Sequence, residues 1–222
     1  MLEHLNQAIK IGDTDKVIYF TETKRQSPQV LGNALFKAIE CQRIFMGELL
    51  IKNGANLNIF DEFGYSPLMR AIKINVDFTR GCFMTMIMNG KANINLQNKY
   101  GWTALMIAAC EQKSVLPLKE LIKVGADISL SDKLEETAFH KACIVGNLEG
   151  AKVLVQAGAD MLKKNKEGKD AYNLAMENGH HEVAKMIKEA IKEQLKAKKI
   201  ASHQGNNQAL SLLIEKGVSY AK

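Results

Sequence analysis

Residues 98–131 read NKYGWTALMIAACEQKSVLPLKELIKVGADISLS. Gly101 stands where a tight turn needs a positive φ, which glycine adopts without steric cost. Thr103 is a natural N-cap for a helix over Ala104 to Cys110. Leu105, Ala108 and Ala109 would form its packing face, the two alanines small enough for a neighbouring helix to come close. Ser114 is placed to cap a second helix, Val115 to Val124, with Pro117 in the first turn, where a missing N–H costs little. Leu118, Leu121 and Ile122 make a buried stripe at helical spacing. Gly125 closes that helix in a left-handed C-cap. Ala126-Asp127-Ile128 then leads into an extended finger.

The same grammar recurs along the chain. The turn-glycine slot is filled by Leu31, Gly64, Gly101, Glu135 and Gly168, at intervals of 33, 37, 34 and 33 residues. A period of this size means stacked supersecondary units. Such units build a long surface, so gripping a partner is the default function. The interval of 37 leaves one unit four residues too long. The surplus falls near Val76-Asp77-Phe78-Thr79 and is expected in the loop between that unit's helices.

Other units carry Ala34-Leu35-Phe36 with Gly54-Ala55-Asn56, Ser66-Pro67-Leu68-Met69 with Ala92-Asn93, Thr137-Ala138-Phe139-His140 with Gly158-Ala159-Asp160, and Leu174-Ala175 with Gly179. On these motifs the chain resembles the ankyrin repeat family over about residues 28–194. The resemblance implies an all-α solenoid in which each unit is a β-hairpin finger followed by two antiparallel helices. The units are residues 28–60, 61–97, 98–131, 132–164 and 165–194. The family's T-P-L-H tetrad reads NALF, SPLM, TALM, TAFH and DAYN here, and only Thr137 and His140 can make its Thr–His hydrogen bond.

The ends read as helical caps. Residues 1–27 form the first, with helices over Leu2 to Ile11 and Thr14 to Glu22 and with Leu5, Ala8, Val17 and Ile18 buried. Residues 195–222 form a divergent second cap, with an apolar stripe of Ala209, Leu212, Leu213 and Ile214 between Gly205 and Gly217. Glu182 to Ser202 contains neither Gly nor Pro, so one long helix and two abruptly joined helices both fit.

The composition is that of a soluble protein, 46% hydrophobic and 24% charged. The apolar runs are too short to span a membrane, and the start has no secretory pattern. Cys41, Cys82, Cys110 and Cys143 are scattered, which suits small core residues in a reducing compartment, and the localisation expected is cytoplasmic. No His lies at ligand spacing from a Cys, so no metal or other cofactor is expected. No nucleophile–base constellation or phosphate-binding loop occurs. His180-His181-Glu182 reads as turn and capping chemistry, and Glu135-Glu136 point to opposite faces of a strand. No enzyme and no small-molecule substrate are expected.

In the resembled family, partners are held by the finger tips and the exposed face of the first helices. That carries over to Phe60, Glu62, Phe63, Tyr65, Lys99, Tyr100, Trp102, Lys133, Leu134, Glu136, Ile144, Lys166 and Lys169. Tyr and Trp dominate interface hot spots, and the chain has a single Trp. The resulting expectation is a monomeric, non-catalytic protein-interaction module acting as adaptor, inhibitor or scaffold. The chain resembles small cytosolic ankyrin regulators, and also ankyrin proteins that intracellular bacteria deliver into host cells. The alternative is an acidic-surface binder, for membrane phosphate or nucleic acid. It would use Lys185, Lys188, Lys192, Lys196, Lys198 and Lys199. The net charge of +6 is almost all Lys, with four Arg, and this weighs against nucleic acid.

Overall fold

The computed structural model describes residues 2–24, 26–74 and 77–204, with the side chains of 77–78 and 197–204 left aside. Two compact units divide the chain, the first running to Lys99 and the second starting at Tyr100. In the first unit the helices are α1 (Leu2–Ile11), α2 (Thr14–Ile18), α3 (Pro28–Glu40), α4 (Ile44–Lys52), α5 (Pro67–Ile72) and α6 (Asp77–Asn89). In the second they are α7 (Ala104–Cys110), α8 (Leu116–Lys123), α9 (Ala138–Ile144), α10 (Leu148–Gln156), α11 (Ala171–Glu177) and α12 (His181–Gln204).

Each unit stacks helix pairs. The first helices line up as α1 on α3 on α5, and as α7 on α9 on α11. Second helices line up behind them, with α4 against α6 and α10 between α8 and α12. The rows approach closely because the facing positions are small. Ala34, Ala38, Ala71, Ala108, Ala142, Ala171 and Ala175 are all fully buried. Between the rows lie Leu35, Leu50, Phe83, Leu118, Leu121, Phe139 and Leu154, also fully buried. Each of those leucines contributes about 2 kcal/mol by leaving water.

The local rules hold where the hydrogen bonds are local. Four first helices start on the same repeat position. Ser66 accepts from Met69 N–H at 3.3 Å, Thr103 from Met106 at 3.2 Å, Thr137 from His140 at 3.5 Å and Asp170 from Asn173 at 2.9 Å. Gly64, Gly101 and Gly168 have positive φ, and so does Glu135 at 62°. Gly125 closes α8 in the left-handed region, as its slot requires.

Several expectations are corrected. Among the described residues the fingers are turns, and their only β pairing is the isolated bridge Ser131–Thr137. One bond pair across a short turn does not make a strand, and Asx turns hold the fingers instead. Leu31 is no turn residue: it lies inside α3, 1% exposed, because Ser27 caps that helix early and Pro28 opens it. Of the surplus expected near Val76 to Thr79 in the second repeat, Val76 lies outside the described residues and the rest is helix rather than loop. Asp77 and Thr79 belong to α6, which has 13 residues where α4 and α10 have nine. Ser114 does not cap α8 in the ordinary way. It accepts from Leu116, two residues on, and the helix begins there. The second helix of the N-terminal cap ends as a π turn over Tyr19–Thr23, Ile18 is half-buried, and Ile9 fills the core instead. From His181 the chain is one continuous helix of 24 residues. The proposed cap stripe from Gly205 to Gly217 lies outside the described residues.

Candidate partner-binding surface

In the first unit the turn that presents the second repeat's finger is organised by one carboxylate. Asp61 Oδ1 accepts from the N–H groups of Phe63 at 3.0 Å and Tyr65 at 2.9 Å, an Asx turn that sets the loop. Its other oxygen accepts from Arg70 Nε at 2.5 Å. The Arg70 guanidinium also lies 5.1 Å from the Phe63 ring centre and 5.0 Å from that of Tyr65, a double cation–π contact. Asn98 Nδ2 donates to the Gly64 carbonyl at 3.0 Å and holds the turn from the following segment.

Beside this turn runs a groove of about 540 Å³. Its apolar wall is Phe36, Ile39, Phe63 and Ile74, and its polar rim is Glu40, Gln42, Asp61, Glu62, Arg70 and Lys73. Phe63 is 62% exposed. Glu62 and Lys99 are exposed, Phe60 is partly so, and Tyr65 is half-buried between Arg70 and Lys73, whose ammonium stands 5.7 Å from its ring.

In the second unit the finger turns are chained by their backbones. The Tyr100 carbonyl accepts from Lys133 N–H at 3.1 Å, and the Leu134 carbonyl accepts from Lys166 N–H at 2.9 Å. A side chain at Gly101 would place its first carbon 2.8 Å from Asp132 Cα, so the approach demands glycine. Tyr100 and Leu134 ride on these turns at 54% and 53% exposure, with Lys133 and Lys166 exposed beside them. Ile144, at the end of α9, is half-buried. Lys169 bridges Glu177 and Glu167 at 2.9 Å each, and those hydrogen bonds hold its ammonium above the usual lysine range.

Of the residues expected on the surface, Glu136 is buried and Trp102 is partly turned inward. Glu136 is 5% exposed, and its carboxylate binds Lys141 Nζ at 2.5 Å and accepts from Asn165 Nδ2 at 3.0 Å. Lys141 also reaches Asp132 at 2.6 Å. Trp102 is half-buried, and the Lys141 ammonium sits 4.7 Å from its ring centre. The indole thus covers a buried ion cluster, a role that the count of aromatics did not reveal. One signal was available in the chain: Asp61 and Arg70 share the nine-residue spacing of Asp132 and Lys141.

His140 completes this core. Its Nε2 faces the Lys163 carbonyl at 2.9 Å and its Nδ1 faces the Thr137 hydroxyl at 2.9 Å, which assigns the Nε2-protonated tautomer. Burial lowers its pKa from 6.5, against the opposing effect of the Lys163 carbonyl. Burial likewise pushes the Cys143 thiol up to about 12, so it is inert at neutral pH. The His180 ring packs on Gly146, and the His180 backbone N–H donates to the Ala175 carbonyl at 2.8 Å, in keeping with turn chemistry. Among the described residues no group of three or more His, Cys, Asp or Glu is gathered to hold a metal ion. Nor is any described helix long and apolar enough to cross a membrane.

Residues 78–165 and 112–199 match the family model described as ankyrin repeats, three copies. Among curated proteins, neurogenic locus notch homolog protein 1 from Homo sapiens is 30% identical over 118 residues, covering 53% of this chain and 4% of that protein. Ankyrin repeat and SOCS box protein 6 from Homo sapiens is 29% identical over 121 residues, covering 53% of this chain and 28% of that protein. The chain therefore corresponds to a small part of each of these relatives.

Proposed function

This chain belongs to the ankyrin repeat family, whose domains are generally protein–protein interaction modules, and we propose that it grips a protein partner in the first unit's groove. It acts as an adaptor, inhibitor or scaffold, working as a monomer in the cytoplasm, a reducing compartment that suits its four scattered cysteines. The observation that carries the reading is Phe63. It is a large ring, 62% exposed, beside a groove with an apolar wall and a rim of both charges. A partner segment that lays one large apolar side chain against Phe63 and Phe36 would desolvate both. Arg70 is already oriented by Asp61, so little ordering entropy remains to be lost there. The chained turns of the second unit offer Tyr100 and Leu134 as separate contacts.

The test is capture from lysate with wild type and with Phe63→Ala, alongside a thermal melt of each. Loss of anchors of this kind costs about 2 kcal/mol or more of binding. A captured protein that disappears in the variant while the melt stays put supports the groove. An identical captured set removes the groove from the reading.

A further inference from the structure

Helix α12 is much longer than its repeat needs: it has 24 residues where α4, α8 and α10 have nine, eight and nine. Among its described residues the buried side chains, Val183, Ala184 and Ile187, all lie in its first two turns. From Lys188 to Lys196 none of its side chains is fully buried. Lys185, Lys188, Lys192 and Lys196 are exposed and share one face, spread over about 17 Å of helix. Glu182, Glu189 and Glu193 form a separate stripe about 80° round the axis. Among the described residues none of the four lysines is in an ion pair, and Lys188 is steadied by the Tyr172 ring at 4.7 Å. Bordering the lysine stripe, one turn after Lys192, stands Leu195, 61% exposed.

We propose that this outer half of α12 docks on an anionic lipid bilayer, lysines at the headgroups and Leu195 at the acyl boundary. The lysine stems reach along the apolar surface while their ammonium groups stay in the headgroup layer. Charge alone would serve an acidic protein or a nucleic acid equally well, but a single leucine beside the lysines enters an acyl layer without the shaped pocket a protein partner would have to supply. A nucleic-acid surface would also call for Arg, and α12 contains none. A basic helix with an apolar flank lies flat in an interface. The inference stands apart from the groove of the first unit.

The test is co-sedimentation of the full chain with phosphatidylcholine vesicles, with and without phosphatidylserine. Binding should require phosphatidylserine and weaken as salt rises. The triple variant Lys185→Gln, Lys192→Gln, Lys196→Gln should bind on the order of a hundredfold more weakly. Leu195→Ser should lose about tenfold. Phe63→Ala should bind vesicles like wild type, which keeps this test separate from the groove. Equal sedimentation with phosphatidylcholine alone, or an unchanged triple variant, overturns the proposal. So does equally tight binding of polyglutamate or duplex RNA through the same lysines.

Discussion

Lys141 and Asp132 pair at 2.6 Å with their side chains only 7% and 2% exposed. The equivalent pair nine residues apart in the first unit, Arg70 with Asp61, is 32% and 11% exposed. One spacing thus makes a buried structural ion cluster in one repeat and a half-open clamp for aromatic rings in another. Glu136 adds a second carboxylate to the buried version, and Trp102 closes it.

Replacing Lys141 leaves two carboxylates facing each other out of water. Lys141→Met is expected to cost about 3–5 kcal/mol in urea denaturation at neutral pH. Burial opposes the Lys141 charge, but the hydrogen bonds to Asp132 and Glu136 outweigh it and raise the pKa above 10.5. The stabilisation is therefore complete below pH 10.5 and fades as pH rises through the raised value. A loss under about 1 kcal/mol would mean that the carboxylates regain water in the variant.

His140 works in the opposite direction. Its folded pKa lies below the unfolded 6.5, so the unfolded chain binds the extra proton as pH falls. Stability should drop below pH 6.5, by at most about 1.4 kcal/mol per pH unit from this group. His140→Met, which copies the residue in the matching slot of the second and third repeats, should flatten that slope. Melting curves from neutral pH to pH 5 for both proteins read it out directly, and parallel slopes would falsify the assignment.

Glu135 occupies a glycine slot at φ 62°. A left-handed conformation costs a side-chain-bearing residue about 1–2 kcal/mol, part of which glycine gives back as unfolded-state entropy. Glu135→Gly should therefore stabilise the protein by about 1 kcal/mol, seen as a higher melting temperature. An unchanged or lower melt would show that the Glu135 side chain contributes something that offsets its backbone strain.

Trp102 and Phe63 should separate stability from binding. Trp102→Ala uncovers the Lys141 cluster and should lose about 1–2 kcal/mol of stability. Phe63→Ala should leave the melt within about 0.5 kcal/mol of wild type, as for a surface site. Equal melts for the two variants would place the indole outside the cluster.

Much of the fold was legible because its signals act over a few residues. Thr103, Thr137 and Asp170 cap helices through N–H groups three residues on, and Gly125 ends one with its own φ. The repeat exposed these positions several times over. The surface was less legible. Tyr65, Trp102, Glu136 and Lys169 directly follow the turn residue and are half-buried or buried, whereas Phe63, Tyr100, Leu134 and Glu167 directly precede it and are exposed, an alternation that the aromatic content alone does not show. Glu136 is drawn in by Lys141, five residues away on a helix, and by Asn165 in the next repeat.

The chain alone determined the period, the capped helix pairs and the turn positions. Spacing, capping residues and glycine conformations are properties of short segments. The tertiary structure decided the rest. Ser27 and Pro28 draw Leu31 into α3, and α6 runs about one turn longer than α4. Lys141 can hold its charge out of water only with both carboxylates and an indole around it. Those outcomes depend on desolvation and packing between repeats, which no single segment encodes.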